Sequence, residues 1–156
     1  MNIMLNVALY PQTEDRLSMQ PVALVNNMQT SNEVLIVDDE APIAELLSDV
    51  LQDEGYNIRI ARDGASALLE IIRRPPGLVL LDVAMPVMLG SDLLVYLRQH
   101  GFSDLPIIIM TAGLSPLVYL AQGATEVIPK PFDVDLVVER VARYLPLEHG
   151  RAAGAE

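Results

Sequence analysis

Five polar side chains in this sequence follow directly on short, almost wholly apolar runs. They are Asp38, Asp39, Asp82, Thr111 and Lys130. Carboxylates that are crowded into one site repel one another, so that some take up a proton or a cation joins them. A site with oxygen ligands and without His or Cys suits Mg²⁺. If these residues converge, the sequence predicts a magnesium site.

The same side chains have the right types for phosphoryl chemistry. A Lys ammonium is a compact positive charge for a phosphate oxygen, and a Thr hydroxyl can donate to another. A carboxylate beside them can act as nucleophile, which makes the set a candidate phosphoryl-transfer site with an aspartyl nucleophile. Taken singly, each residue is explained as well by a helix cap, a turn, a strand end or a surface charge.

The surrounding residues predict strands that alternate with helices. Short β-branched runs without polar residues indicate strands that are buried on both faces. The predicted strands are 34–37, 56–61, 78–81, 106–110 and 125–128, the second of them half-polar and therefore expected at an edge. Apolar residues at helical spacing fill the intervals, with Pro42 expected at the first helical position and Gly55 and Gly101 as stops. Asp63, Asp92 and Asp133 are interpreted as helix starts.

Five strands alternating with five helices predict an α/β fold, a doubly wound parallel sheet with helices on both faces. The candidate residues all stand at carboxyl ends of strands, where such sheets bind ligands. Neighbouring strands lie ~4.8 Å apart, so these side chains can meet. We expect an irregular arm at 1–32, one domain at 33–146 and a short tail at 147–156.

Composition excludes several classes of function. There are 21 acidic and 10 basic residues, with a net charge of −11, and no basic cluster, so direct nucleic-acid binding is not expected. Cysteine is absent, which excludes disulfides and thiolate chemistry. Without a membrane-length apolar run or a secretory signal, we expect a soluble cytoplasmic protein. Lys130 is the only Lys beside nine Arg.

Residues 33–146 resemble the receiver domain of two-component response regulators and are similar to the single-domain chemotaxis regulators. The resemblance rests on four segments in order: VLIVDDE at 34–40, LLDVAMP at 80–86, MTA at 110–112 and PKPF at 129–132. The intervals also agree with the family, 43 residues from Asp39 to Asp82 and 29 from Asp82 to Thr111. It implies the flavodoxin-like strand order 2-1-3-4-5.

The resemblance also implies roles for the acidic residues. Asp82 would accept a phosphoryl group from a histidine kinase or a phosphotransfer protein. Asp39, Asp82 and the backbone carbonyl of Ala84 would ligate Mg²⁺, and Asp38 would act largely through water.

Lys130 would pair with the phosphoryl group, Thr111 would move toward it, and Lys130-Pro131 would be a cis peptide. The implied function is that of a stand-alone phospho-acceptor switch, not an enzyme beyond its own phosphorylation and dephosphorylation. Its output would pass to a protein target, with a homodimer possible.

The sequence departs from the family near the fifth strand. Val127 stands at the switch position, where the family usually carries an aromatic that swings inward when the Thr moves; Val has few rotamers. Thr111 and Lys130 are 19 residues apart, about one helical turn shorter than is common, so the helix at 116–122 is expected to have about two turns. Tyr119 could be an exposed anchor or a core residue.

Two alternatives remain open. A non-phosphorylated receiver, used only for docking or dimerisation, is favoured by Val127 and the short helix, and is opposed by the intact acidic, hydroxyl and ammonium groups. A phosphatase of the haloacid-dehalogenase type would need an Asp where Ala84 stands. Ala84 and Gly113, which occupy positions that tune phosphate lifetime in the family, are both small. A flavin carrier is disfavoured, because its phosphate loop would be rich in Ser, Thr and Gly.

Overall fold

The structure is a computed structural model that describes residues 31–113 and 115–148. The strands are β1 (Glu33–Val37), β2 (Asn57–Ala61), β3 (Leu78–Asp82), β4 (Ile107–Thr111) and β5 (Glu126–Pro129). The helices are α1 (Ala41–Asp53), α2 (Gly64–Arg73), α3 (Gly90–Gln99), α4 (Pro116–Ala121) and α5 (Val134–Tyr144). All but the last two residues of the predicted arm, and all but the first two of the predicted tail, lie outside the described residues.

The five strands form one parallel sheet in the order β2-β1-β3-β4-β5. This confirms the predicted strand order and the edge position of β2. The register aligns the carboxyl ends of neighbouring strands: Val37 pairs with Leu81, and Thr111 pairs with Pro129. The polar residues that follow these strands are therefore delivered to one edge of the sheet.

Two hydrophobic layers cover the sheet, one on each face. Leu35 and Val37 of β1 face a layer that includes core residues of α2, α3 and α4. Val34 and Ile36, which alternate with them, face a layer that includes core residues of α1 and α5. Because both faces are covered, a central strand has no solvent side and its sequence contains no polar alternation.

The observed helix starts agree only in part with those predicted from the sequence. Asp63 and Asp133 are N-caps, accepting the backbone N–H groups of Ser66 and Asp135 at 2.7 and 3.0 Å. α1 begins at Ala41, one residue earlier than predicted, so Pro42 occupies its second position. A second position also suits Pro, because the N–H it lacks would have no partner within the helix.

The prediction that Asp92 starts a helix is wrong. α3 begins at Gly90, with Leu89 as its N-cap, and Asp92 lies in the first turn. A Cβ on Gly90 would come within 2.2 Å of the carbonyl oxygen of Asp82, so only glycine permits this close approach. Gly55 and Gly101 follow their helices at φ of 105° and 94°, as the stops predicted there require.

α4 is short, as the Thr111–Lys130 interval predicts, and has six residues. Tyr119 is 5% exposed and belongs to the hydrophobic layer of α2 and α3, so the alternative of an exposed anchor is wrong. A helix of this length has few residues with which to cover the sheet, and it uses its aromatic ring to do so. Among the described helices, none is long and apolar enough to cross a membrane.

Candidate functional site

The predicted polar residues come together beyond the carboxyl ends of β1, β3, β4 and β5. Asp38 is fully buried, Asp82 is 2% exposed and Thr111 is 7% exposed. The Lys130 ammonium lies 3.4 Å from Asp38 Oδ2 and 3.3 Å from Asp82 Oδ1. Asp39, the next residue after Asp38, is exposed at the rim.

Backbone hydrogen bonds hold the two buried carboxylates in place. The Asp38 N–H donates to the Ala61 carbonyl at 3.1 Å, which extends the pairing of β1 and β2 by one residue. Asp38 Oδ1 accepts the Glu40 N–H at 2.9 Å, at the start of α1. Asp82 Oδ1 accepts the Ala84 N–H at 3.3 Å. Each carboxylate is thus fixed by the chain that follows its own strand.

The hydroxyl and the ammonium are linked through the backbone of β4 and β5. The Lys130 N–H donates to the Thr111 carbonyl at 2.7 Å. Thr111 Oγ1 accepts the Gly113 N–H at 3.2 Å, which leaves the hydroxyl hydrogen available for another acceptor. Lys130-Pro131 is cis, as the resemblance implied.

The carboxylates have the composition and spacing of a divalent cation site. Asp38, Asp39 and Asp82 offer oxygen atoms that lie within 4.8 Å of one another. Two of these side chains are buried, where uncompensated negative charge is costly. An all-oxygen set of this kind fits Mg²⁺, which takes one or two carboxylates and keeps several waters.

Burial and the neighbouring Asp38 carboxylate raise the pKa of Asp82, against the opposing effects of Lys130 and the Ala84 N–H. For Lys130, burial lowers the pKa, but the carboxylates of Asp38 and Asp82 outweigh it and the net shift is upward. The ammonium therefore stays charged at neutral pH. The site holds more negative charge than Lys130 alone neutralises.

A family model for the response regulator receiver domain matches residues 34–142. The chain belongs to the response regulator receiver family. Similar solved structures agree with this assignment. The chemotaxis protein CheY4 of Vibrio cholerae is 34% identical, with a TM-score of 0.66, over 72% of this chain and 98% of that one.

Two curated relatives carry the receiver as part of a longer chain. The probable transcriptional regulatory protein TcrX of Mycobacterium tuberculosis is 39% identical over 115 residues, which are 72% of this chain and 49% of the relative. The transcriptional regulatory protein CpxR of Escherichia coli is 38% identical over 121 residues, 76% of this chain and 51% of the relative. This chain spans about half the length of these relatives, so a stand-alone receiver without nucleic-acid contact stays a prediction.

The receiver has no aromatic on β5 at the predicted switch position. Val127 is half-buried, pairs with Ile109 of β4 and packs against the layer that contains Tyr119. Tyr119 of α4, one element earlier in the chain, contributes an aromatic ring to that layer.

In the loop from Val83 to Gly90, sequence reasoning assigned a role to Ala84 and missed the exposed residues Val87 and Leu89. The loop joins Asp82 to α3, and Val87 within it has a φ of 70° and a fully exposed side chain. The sequence did carry a signal, because its eight residues, VAMPVMLG, include no polar side chain. Loops on protein surfaces are usually polar, so such a run between two elements is unusual.

Proposed function

We propose that Asp82 accepts a phosphoryl group from a histidine kinase or a phosphotransfer protein. The observation that carries the proposal is the nearly buried Asp82 carboxylate, 3.3 Å from Lys130 Nζ and clustered with two further carboxylates. An Asp82 oxygen forms the new bond to phosphorus while the bond from phosphorus to the histidine nitrogen breaks, and the leaving imidazole keeps the electron pair and takes up a proton.

Asp39, Asp82 and the backbone carbonyl of Ala84 would hold Mg²⁺, with Asp38 contributing through water. When bound, the ion offsets the negative charge of the carboxylates and of the phosphoryl oxygens. Lys130 binds a phosphoryl oxygen with an ammonium that the chain already directs at Asp82. Thr111 donates its hydroxyl hydrogen to a second oxygen.

Phosphorylation then changes the balance between two conformations of the receiver. It adds roughly −1.5 to −2 charges and strong acceptors beside Lys130 and Thr111. Thr111 is bonded through its carbonyl to the Lys130 N–H, so a shift of β4 is felt at β5. The output is a protein-protein contact made better by one conformation than by the other.

Labelling with a small phosphodonor tests the proposal. With Mg²⁺ and acetyl phosphate, intact-mass spectrometry should show one added phosphoryl group on the wild type and none on Asp82→Asn. Asp63→Asn is the matched control, because Asn also caps helices and Asp63 caps α2 outside the carboxylate cluster. Equal labelling of Asp82→Asn would contradict the assignment.

Two other functions have distinct outcomes in the same assay. An unlabelled wild type would favour the non-phosphorylated docking or dimerisation module, for which the absence of an aromatic at Val127 is the supporting observation. Continuous turnover of a phosphate ester would indicate a phosphatase, although Ala84 supplies no general acid beside Asp82.

Ala84→Asn is expected to change the rate at which labelled Asp82 loses its phosphoryl group. Ala84 is exposed and lies two residues from Asp82, and an amide there can hydrogen-bond a water near the phosphorus, as the methyl group cannot. The decay of the phosphorylated species is followed by mass spectrometry after the donor is removed. Ala142→Asn, at an exposed position on α5, is the control, and equal decay of wild type and Ala84→Asn would refute the expectation.

A further inference from the structure

The loop after Asp82 exposes four apolar side chains next to the carboxylate cluster in sequence. Its exposed side chains are those of Ala84, Pro86, Val87 and Leu89, which we name the apolar lip. Val87 is 101% exposed and Leu89 is 51% exposed. The lip begins two residues after the proposed phospho-acceptor.

The loop is anchored, so the lip has a fixed position. Met85 is 4% exposed in the core, and Met88 packs against the same layer. The Gly90 N–H returns to the Val83 carbonyl at 3.2 Å and closes the loop. A Cβ at Gly64 would lie 2.9 Å from Met88 Cγ, so Met88 is wedged against the start of α2. Met85 and Met88 point inward, and the exposed side chains of the lip face solvent.

The backbone conformation at Val87 is unfavourable for a valine. A β-branched residue rarely adopts a positive φ, whereas Gly and Asn adopt it readily. Because the side chain is fully exposed, packing within the described residues does not offset the strain. Strained positions are concentrated at functional sites, and a contact with another molecule would give this side chain a role.

We propose that the apolar lip is the surface on which the phosphoryl-donating protein docks, an inference that rests on the proposed function. Asp82 is 2% exposed, yet the donor's phosphorus must come to about 3–3.5 Å from its carboxylate for reaction. A histidine on the donor's surface reaches that depth only when the donor surface around it contacts the residues at the entrance to the site. The lip follows β3 directly after Asp82, at the edge of the sheet where the carboxylates lie, so a donor that reaches Asp82 comes close to it.

The apolar side chains of the lip and the negative charge near it indicate what kind of surface the donor carries. Asp39 of the cluster and the next residue, Glu40, are exposed acidic residues, and a phosphoryl group is itself negative, so charge alone opposes the approach of the donor. Apolar contact supplies attraction that salt does not screen. The donor is therefore expected to carry an apolar patch beside its phosphohistidine.

The test compares a protein donor with a small donor on the same variants. Val87→Asn/Leu89→Asn removes both large side chains of the lip, and each change suits its backbone: Asn tolerates a positive φ, and it is a good N-cap at position 89. Ile72→Asn is the matched control, because Ile72 is 55% exposed near the far end of α2. The protein donor is the purified, autophosphorylated histidine kinase that labels wild type fastest in a panel.

The double variant should be labelled by acetyl phosphate at the wild-type rate. Its kcat/KM for transfer from the kinase should fall about tenfold, the scale of losing an interface anchor. Ile72→Asn should match wild type with both donors. Equal kinase rates in the double variant and wild type, or an equal loss with both donors, would overturn the docking role and leave the assignment of Asp82 intact. Failure of both donors on wild type would remove the proposed function and, with it, the docking role.

Discussion

Lys130→Met is expected to lower the free energy of unfolding by about 3 kcal/mol near pH 8 without Mg²⁺, and the loss should shrink as the pH is lowered. Lys130 lies between the carboxylates of Asp38 and Asp82, both nearly buried. Met fills a similar volume without the charge, so two carboxylates are left facing each other. Removing one partner of a buried ionic group is costly because the other charge stays uncompensated.

The pH dependence follows from the pKa of Asp82. Burial and Asp38 already raise it, and Lys130 is one of the groups that lower it, so its loss moves the pKa further upward. The folded protein then binds this proton more tightly than the unfolded chain does. Stability therefore falls as pH rises through the folded pKa and recovers as pH is lowered through it. Urea unfolding across a series of pH values measures the effect.

A second substitution separates charge from packing in this experiment. Lys130→Met/Asp82→Asn removes one of the two buried carboxylates along with Lys130, which ends the repulsion between Asp82 and Asp38, and it should recover most of the lost stability near pH 8. Arg140→Met is the control, since Arg140 pairs with the partly exposed Glu126 at 2.9 Å on the α5 side of the sheet. A loss of stability that is the same at every pH and persists in the double variant would mean that Lys130 acts through packing.

The fold could be predicted from sequence because its central strands are buried on both faces. Val34, Ile36 and their neighbours in β1 have no solvent side, so a short apolar run ended by an acidic residue marks both the strand and its carboxyl end. The site followed from the same pattern, since parallel strands present these ends at one edge. The register of the strands brings Asp38, Asp82, Thr111 and Lys130 to this edge.

Other features depend on contacts between distant segments. Asp38 and Asp39 are adjacent carboxylates with the same local pattern, yet only Asp38, whose N–H bonds to Ala61 of β2, is buried. The local sequence around Tyr119 fits a surface or a core position equally well, and its packing against the layer of α2 and α3 places it in the core. The start of α3 at Gly90 depends on the carbonyl of Asp82, eight residues earlier in the chain.

In the loop between β3 and α3, the local sequence predicts one environment and the structure shows another. Its apolar composition fits a core segment, yet Val87 and Leu89 are exposed. Local propensity and the observed conformation disagree at Val87, whose φ is 70°. Disagreements between local propensity and conformation are expected at functional or strained sites.

Mg²⁺ is expected to raise the melting temperature of wild type, and Asp39→Asn should lose most of this rise. A ligand that binds only the folded state stabilises it by about 2.7 kcal/mol at one hundred times its dissociation constant. Asp39 is the exposed member of the carboxylate cluster, so its replacement leaves the buried pair and Lys130 undisturbed. The melting temperature without Mg²⁺ should therefore change little, while the increment on adding Mg²⁺ becomes small.

Glu40→Gln is the matched control for this measurement. Glu40 is the next residue, it is also exposed, and its backbone N–H keeps its bond to Asp38 whatever its side chain. Its carboxylate is outside the cluster of three, so the Mg²⁺ increment should equal that of wild type. An equal reduction in Glu40→Gln and Asp39→Asn would show that Mg²⁺ responds to the general negative charge of this edge. A reduction confined to Asp39→Asn identifies a bound ion with Asp39 as its ligand, and the raised pKa of Asp82 then reflects a site built for that ion.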